Sequence, residues 1–298
     1  MKIKTKKYQI VLDDCQEYLS KIPSDNIHFC VTDPPYFIDG MENDWDVKQL
    51  TQKAEKGKVI QGLPVGMKFD PKQGIALQAF MEPVAKEIYR VLKPGGFVVC
   101  FSQGRLYHRM AMSFENAGFE IRDMFLWKYE GQAKAFSQNH FIDKRKDLSY
   151  EQKEQLKERL QNRKTPQLKP QGEPMVFAQK PKNGTFIDNW EQYEVGLVDT
   201  TISLDGKFPG TVMDVPKPDK KEKGDYNMHF TVKPIVLIEH LIKLFTLEGQ
   251  YVLDPFMGSG SHGVAAININ RKFVGIEKDE KYFNIATQRL AEVKINGK

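Results

Sequence analysis

The feature that most constrains this chain is an apolar run that is forced to stop. Ile27 to Val31 reads as a buried strand, and it leads through Thr32 into Asp33-Pro34-Pro35-Tyr36-Phe37. Proline offers no N–H to a ladder, so the strand ends there and the chain turns outward. Asp33 is left at a strand end, beside a stiff turn carrying flat rings. A site of this kind suits a planar ligand with an amino group. The carboxylate accepts from the NH2, the Pro34 carbonyl has no competing N–H, and Tyr36 offers a face for stacking. A lone Asp-Pro-Pro is more often a surface turn, so the rest of the chain must decide.

A second strand end carries the same grammar. Tyr251-Val-Leu-Asp254-Pro255-Phe256-Met257-Gly258-Ser259-Gly260 closes an apolar strand with an acid and a glycine turn. Glycine lets backbone N–H groups come close to a ligand, where a Cβ would block the approach. The helix expected over Val264 to Asn270 presents its positive end to the same point. This is not the dinucleotide pattern G-x-G-x-x-G, so no pyrophosphate is implied. Phe273 to Ile276 reads as the next strand and ends at Glu277. An acid just over twenty residues past the start of such a loop is placed to grip two ribose hydroxyls. Near the start, Tyr8 to Leu12 reads as a strand followed by Asp13-Asp14, acids that either end the strand or cap the next helix.

Between these ends, Gln73 to Leu92 has helical apolar spacing and Lys93-Pro94-Gly95-Gly96 stops it. Phe97 to Phe101 reads as a buried strand, Leu106 to Ala117 as a helix and Phe119 to Lys128 as a strand or hairpin arm. Asp39 to Asp70 has no sustained period and is too long for an ordinary connection, which suggests a lid. From residue 130 to 224 the pattern changes. Ser149 to Arg163 is a helix polar on nearly every face, with a capping box at Ser149 and Gln152. Met175 to Gln179, Phe186 to Trp190 and Thr200 to Leu204 read as short strands. Asp143 to Lys182 holds eleven Lys/Arg against six Asp/Glu, an excess equal to the whole chain's formal +5. A basic insert on a neutral body suits a polyanion, and Lys144, Arg145 and Lys146 are its densest cluster. The three separated cysteines suit a reduced cytosol, and neither they nor the six histidines show metal-ligand spacing. No apolar run approaches a membrane span.

Together, Asp33-Pro34-Pro35-Tyr36, the Asp254-Pro255-Phe256-x-Gly258-Ser259-Gly260 loop and Thr231-Val-Lys233-Pro resemble the β-group DNA amino-methyltransferases, which methylate adenine N6 or cytosine N4. The resemblance implies an α/β fold: a Rossmann-like methyltransferase with a mixed, mostly parallel seven-stranded sheet, circularly permuted. It divides the chain into a catalytic part, 1–129, with the lid at 39–70; a target-recognition insert, 130–224; and a cofactor-binding part, 225–298. It implies S-adenosylmethionine as cofactor, without a metal. Asp33, Pro34, Pro35 and Tyr36 would be catalytic. Asp14, Thr231, Lys233, Asp254, Pro255, Phe256, Gly258, Ser259, Gly260 and Glu277 would hold the cofactor. Lys144, Arg145 and Lys146 would meet double-stranded DNA. Relatives are often homodimers, and some have a cognate restriction endonuclease. The expected activity is adenine-N6 methylation in the cytoplasm. The alternatives are cytosine-N4 methylation, an RNA methyltransferase and a catalytically silent DNA-binding homologue.

Overall fold

Five strands run parallel because the segments joining most of them are long enough to cross over the sheet. The computed structural model describes residues 1–36, 71–133, 135–219, 222 and 232–293. In chain order the elements are β1 (Lys2–Lys4), β2 (Tyr8–Leu12), α1 (Cys15–Leu19), β3 (Ile27–Thr32), α2 (Pro71–Val91), β4 (Leu92–Phe101), α3 (Tyr107–Asn116) and β5 (Glu120–Lys128). Then come α4 (Asn139–Asp143), α5 (Tyr150–Arg159), β6 (Gly172–Gln179), α6 (Phe186–Tyr193) and β7 (Val212–Asp214). The chain ends with α7 (Ile235–Phe245), β8 (Tyr251–Asp254), α8 (Ser261–Asn268), β9 (Lys272–Glu277) and α9 (Glu280–Glu292). The lid expected at 39–70 lies outside the described residues.

Among the described residues one sheet has the order β1-β2-β9-β8-β3-β4-β6-β5-β7. Strands β2, β9, β8, β3 and β4 are parallel, while β1 and β6 pair antiparallel with β2 and β4. The sheet has nine strands, not the expected seven. The two additions are three-residue edge strands, β1 and β7. Each is too short to show a period, and the lysines of β1 suit an edge that must not recruit another chain.

The chain forms two compact units, Met1–Trp127 with Glu173–Lys298, and Lys128–Gly172. The stretch expected as an insert, 130–224, is therefore divided. Met175–Gln179 is part of β6, inside the main sheet and paired with Phe97–Phe101. Phe186–Tyr193 is a helix where a strand was expected. The Thr185 side chain takes the Asp188 N–H while Asp188 returns a bond to the Thr185 N–H, a capping box that fixes the first turn. Thr200 to Leu204 forms no strand. In the smaller unit, Ser149 and Gln152 make the expected capping box at the start of α5, and Lys157 pairs with Asp143 at 2.6 Å.

Alternation along the strands gives the body two cores. Cys30, Val98, Cys100, Val176 and Ala178 face α2 and α3 through Leu77, Met81, Ile88, Met110 and Phe114. Phe29, Phe97 and Phe177 face the other way, with Phe125, onto Phe245 of α7, at centroid distances of 4.6–6.3 Å from that ring. The irregular start of β4 needs Gly95, whose φ is +78° and where a Cβ would stand 2.4 Å from Asn189 Nδ2. Asn189, wholly buried, donates there to the carbonyls of Pro94 and Val195. Phe245 is 3% exposed and touches four aromatic rings, so Phe245→Ala should destabilise the body by about 3–5 kcal/mol in urea unfolding.

Candidate active site

The parallel strands deliver four acids to one edge of the sheet, the C-terminal edge where open α/β sheets bind ligands. Asp33 follows β3, Asp254 ends β8, Glu277 ends β9, and Asp14 follows β2, whose Leu12 is paired with Glu277. They are put to different uses.

Asp254 is 1% exposed. Its Oδ1 accepts the Thr32 hydroxyl at 2.7 Å and the Phe256 N–H at 3.0 Å, and its Oδ2 lies 2.6 Å from His262 Nδ1. With both oxygens engaged it braces the glycine loop from behind. Pro255 and Phe256 continue the turn, and Gly260 ends it at φ +84°. A Cβ on Gly260 would stand 3.0 Å from Ala286 Cβ on α9, so only glycine fits unstrained. Arg289, also on α9, donates to the Ser259 carbonyl and to the hydroxyls of Ser259 and Ser261. His262 and Arg289 are buried polar supports that sequence reasoning missed. His262 lacks a metal-like spacing, and Arg289 reaches the loop from α9, 30 residues beyond Ser259.

Glu277 faces this loop. Its Oε2 accepts the Gly258 N–H at 2.7 Å and its Oε1 the Asp279 N–H at 2.9 Å. Burial raises its carboxyl above the usual range, and the two N–H bonds work against that rise. Each oxygen keeps a second lone pair, so two acceptors remain for a pair of vicinal hydroxyls. Asp14 is the N-cap of α1, where its side chain accepts from the Gln16 and Glu17 N–H groups. The structure thus gives it a capping role beside Glu277.

The turn after β3 is organised around a buried lysine. Lys233 Nζ is 2.7 Å from Asp33 Oδ2 and 3.1 Å from Glu173 Oε1, with the three side chains 4%, 13% and 14% exposed. The Tyr36 hydroxyl donates to Asp33 Oδ1 at 2.6 Å and also lies against Glu173 Oε1. The ammonium sits 4.8 Å from the centre of the Phe101 ring, a cation–π contact. Burial pulls the Lys233 pKa down, but the charges of Asp33 and Glu173 more than offset it, so the ammonium persists. Burial, then the two carboxylates, push the Tyr36 phenol well up, and it remains a donor. Pro34 is buried and Pro35 half-buried beneath the turn. Lys233, expected beside the cofactor, is brought against Asp33. Glu173 was also missed, because its partners at 36 and 233 are distant in sequence. Thr231 and Phe37 lie outside the described residues, as does Asn227–Phe230. Beneath the turn, burial pushes the thiols of Cys30 and Cys100 well above their usual range, so neither is a nucleophile.

In the smaller unit Lys144, Arg145 and Lys146 are all exposed. Arg145 chelates Asp147, whose carboxyl falls to about 2 because of that bond. Among the described residues no group of three His, Cys, Asp or Glu side chains is gathered to hold a metal. No helix among them is long and apolar enough to cross a membrane.

A family model described as DNA methylase matches residues 27–288. M.HindIII, a Type II methyltransferase of Haemophilus influenzae, is 33% identical over 303 residues, covering 93% of this chain and 93% of that protein. Two solved structures share the fold. The M1.HpyAVI–SAM complex has a TM-score of 0.56 and 21% identity, over 95% of this chain and 98% of that one. The cytosine-N4-specific PvuII DNA methyltransferase has a TM-score of 0.64 and 17% identity, over 99% of this chain and 89% of that one. The chain belongs to the N6/N4 DNA methylase family, and its α/β sheet has the Rossmann-like methyltransferase architecture.

The spare acceptors of Glu277 suit the two ribose hydroxyls of S-adenosylmethionine. Calorimetry on Glu277→Ala should show cofactor binding weakened by roughly 1.5–3 kcal/mol for each charge-assisted bond lost. An unchanged dissociation constant would make Glu277 a brace only.

Proposed function

We propose that this DNA methylase transfers a methyl group from S-adenosylmethionine to N6 of an adenine flipped out of duplex DNA, as the modification enzyme of a Type II restriction system. The observation that carries the reading is the placement of Asp33. Its carboxylate and the Pro34 carbonyl stand on a proline-stiffened turn, held to the glycine loop by the 2.7 Å bond from Thr32 to Asp254.

When bound, S-adenosylmethionine supplies a methyl group already activated on a sulfonium. The difficulty lies with the nucleophile, because an exocyclic amine shares its lone pair with the ring and is buried in the base stack. The base must leave the duplex to reach the site. Asp33 and the Pro34 carbonyl accept its two amino hydrogens, which draws the nitrogen toward tetrahedral geometry and stabilises the positive charge developing there. Tyr36 stacks on the base. Asp254, His262 and Arg289 keep the cofactor loop in register with this turn, so that amine and methyl meet in line.

Adenine is preferred on the resemblance of Asp33-Pro34-Pro35-Tyr36 to the amino-methyltransferase motif, which implies an adenine enzyme where Asp stands first and more often a cytosine enzyme where Ser does. One observation favours cytosine N4: the chain shares its fold, over 99% of its length, with a cytosine-N4-specific enzyme. Nucleoside mass spectrometry of DNA methylated in vitro separates the two. N6-methyladenine is expected, and N4-methylcytosine alone would overturn the choice of base.

The smaller unit, 128–172, carries eleven Lys/Arg against six Asp/Glu and is the proposed site of phosphate contact. Arg145 is engaged with Asp147, so Lys144 and Lys146 should supply more of the counterion release. Replacing both with Gln should flatten the log–log salt dependence of DNA binding more than Arg145→Gln does. An unaltered slope would make the cluster solvated surface.

A further inference from the structure

Resting on the reading of Asp33 above, we propose that Glu173 is a positioning residue of methyl transfer: it holds Lys233 so that Asp33 can turn its charge to the amino group of the target base. Asp33 has no oxygen left idle in this structure. Tyr36 donates to Oδ1 at 2.6 Å and Lys233 is 2.7 Å from Oδ2. Each oxygen keeps a second lone pair, and an incoming N–H that takes one competes with these two partners for the carboxylate's charge.

Lys233 cannot simply be released. Its side chain is 4% exposed, and a desolvated ammonium without a partner is strongly unfavourable. Glu173 Oε1, 3.1 Å from the same nitrogen, provides the alternative partner, and the Phe101 face at 4.8 Å supports it. The charge count agrees. Among the described residues two carboxylates face one ammonium, which leaves one net negative charge. That charge faces the nitrogen on which positive charge develops. Without the Glu173 charge, Lys233 neutralises Asp33 and the turn presents a weaker acceptor. The Tyr36 hydroxyl, shared between the two acids, keeps the ring in place as the balance shifts.

Among the described residues the groups facing Glu173 are Lys233, Asp33 and Tyr36. Burial raises its carboxyl most, Lys233 lowers it and Asp33 raises it again; the net direction is up. The charged form therefore exists above a raised pKa and is lost as pH falls through it. Glu173→Gln copies the protonated side chain in nearly the same shape.

The test is a single-turnover tritium-transfer assay with the full chain, labelled S-adenosylmethionine and unmodified plasmid DNA, taken across the acid range. At neutral pH Glu173→Gln should be slower by about tenfold or more, the scale of one charge-assisted hydrogen bond, with the cofactor dissociation constant from calorimetry unchanged. As pH falls, the wild-type rate should drop and converge on that of the variant, which has no such limb itself. A merely structural role gives no convergence. A variant at the wild-type rate, or a slow one that keeps the wild-type limb, overturns the proposal. Should the variant not fold, the wild-type profile decides alone, and a flat profile overturns it. Asp33→Ala, run alongside, separates the two levels. Near-normal turnover there overturns the catalytic reading and this inference with it. A silent Asp33→Ala with a normal Glu173→Gln removes Glu173 only.

Discussion

The hydroxyl of Thr32 donates to Asp254 Oδ1 at 2.7 Å, joining two strand ends that are 222 residues apart in sequence. Both residues are buried. A buried carboxylate is tolerated only when its lone pairs are met, and here a hydroxyl, a backbone N–H and an imidazole meet them. The bond therefore satisfies a charge and sets a distance at once. The residue after Thr32 is Asp33, and the residues after Asp254 form the glycine turn. His262 adds a second link, since its ring lies 6.1 Å from Phe101 and nearly parallel to it, while Phe101 also carries the Lys233 ammonium. The two halves of the site are thus one packed structure.

The four acids at the sheet edge show how identical chemistry is divided by surroundings. Asp14 meets backbone N–H groups and caps a helix. Asp254 meets only buried partners and becomes a brace. Glu277 meets two N–H groups and keeps acceptors to spare. Asp33 meets a buried lysine and a phenol. All four are carboxyl side chains at or just past the C-terminal end of a strand; the partners differ.

Much of this was legible in the sequence. Ile27 to Val31 stops where its prolines require, and Tyr8–Leu12 forms the strand that its apolar run implied. What failed to show follows from range and length. Three-residue edge strands carry no period. Phe186–Tyr193 contains Phe, Ile and Trp in a short span, which reads as strand until Thr185 and Asp188 are recognised as a capping box. Met175–Gln179 looked like part of a foreign insert because basic, polar chain precedes it, yet its partner is β4, far back in sequence. Glu173 stands one residue before Pro174 with nothing local to mark it. Its meaning lies wholly in Tyr36 and Lys233.

The smaller unit leaves the body after β5 and returns at β6, two strands that are neighbours in the sheet. Its neck is drawn tight: the Tyr129 N–H donates to the Gln171 carbonyl, and a Cβ on Gly131 would run into the Pro170 carbonyl. A segment whose two ends meet in this way closes its own loop and asks little of its host. Its sequence can drift, lengthen or be exchanged without changing the register of β5 and β6. With phosphate contact proposed for this unit, such a neck lets its surface change on its own schedule while the strand ends that carry Asp33 and Glu277 stay where they are.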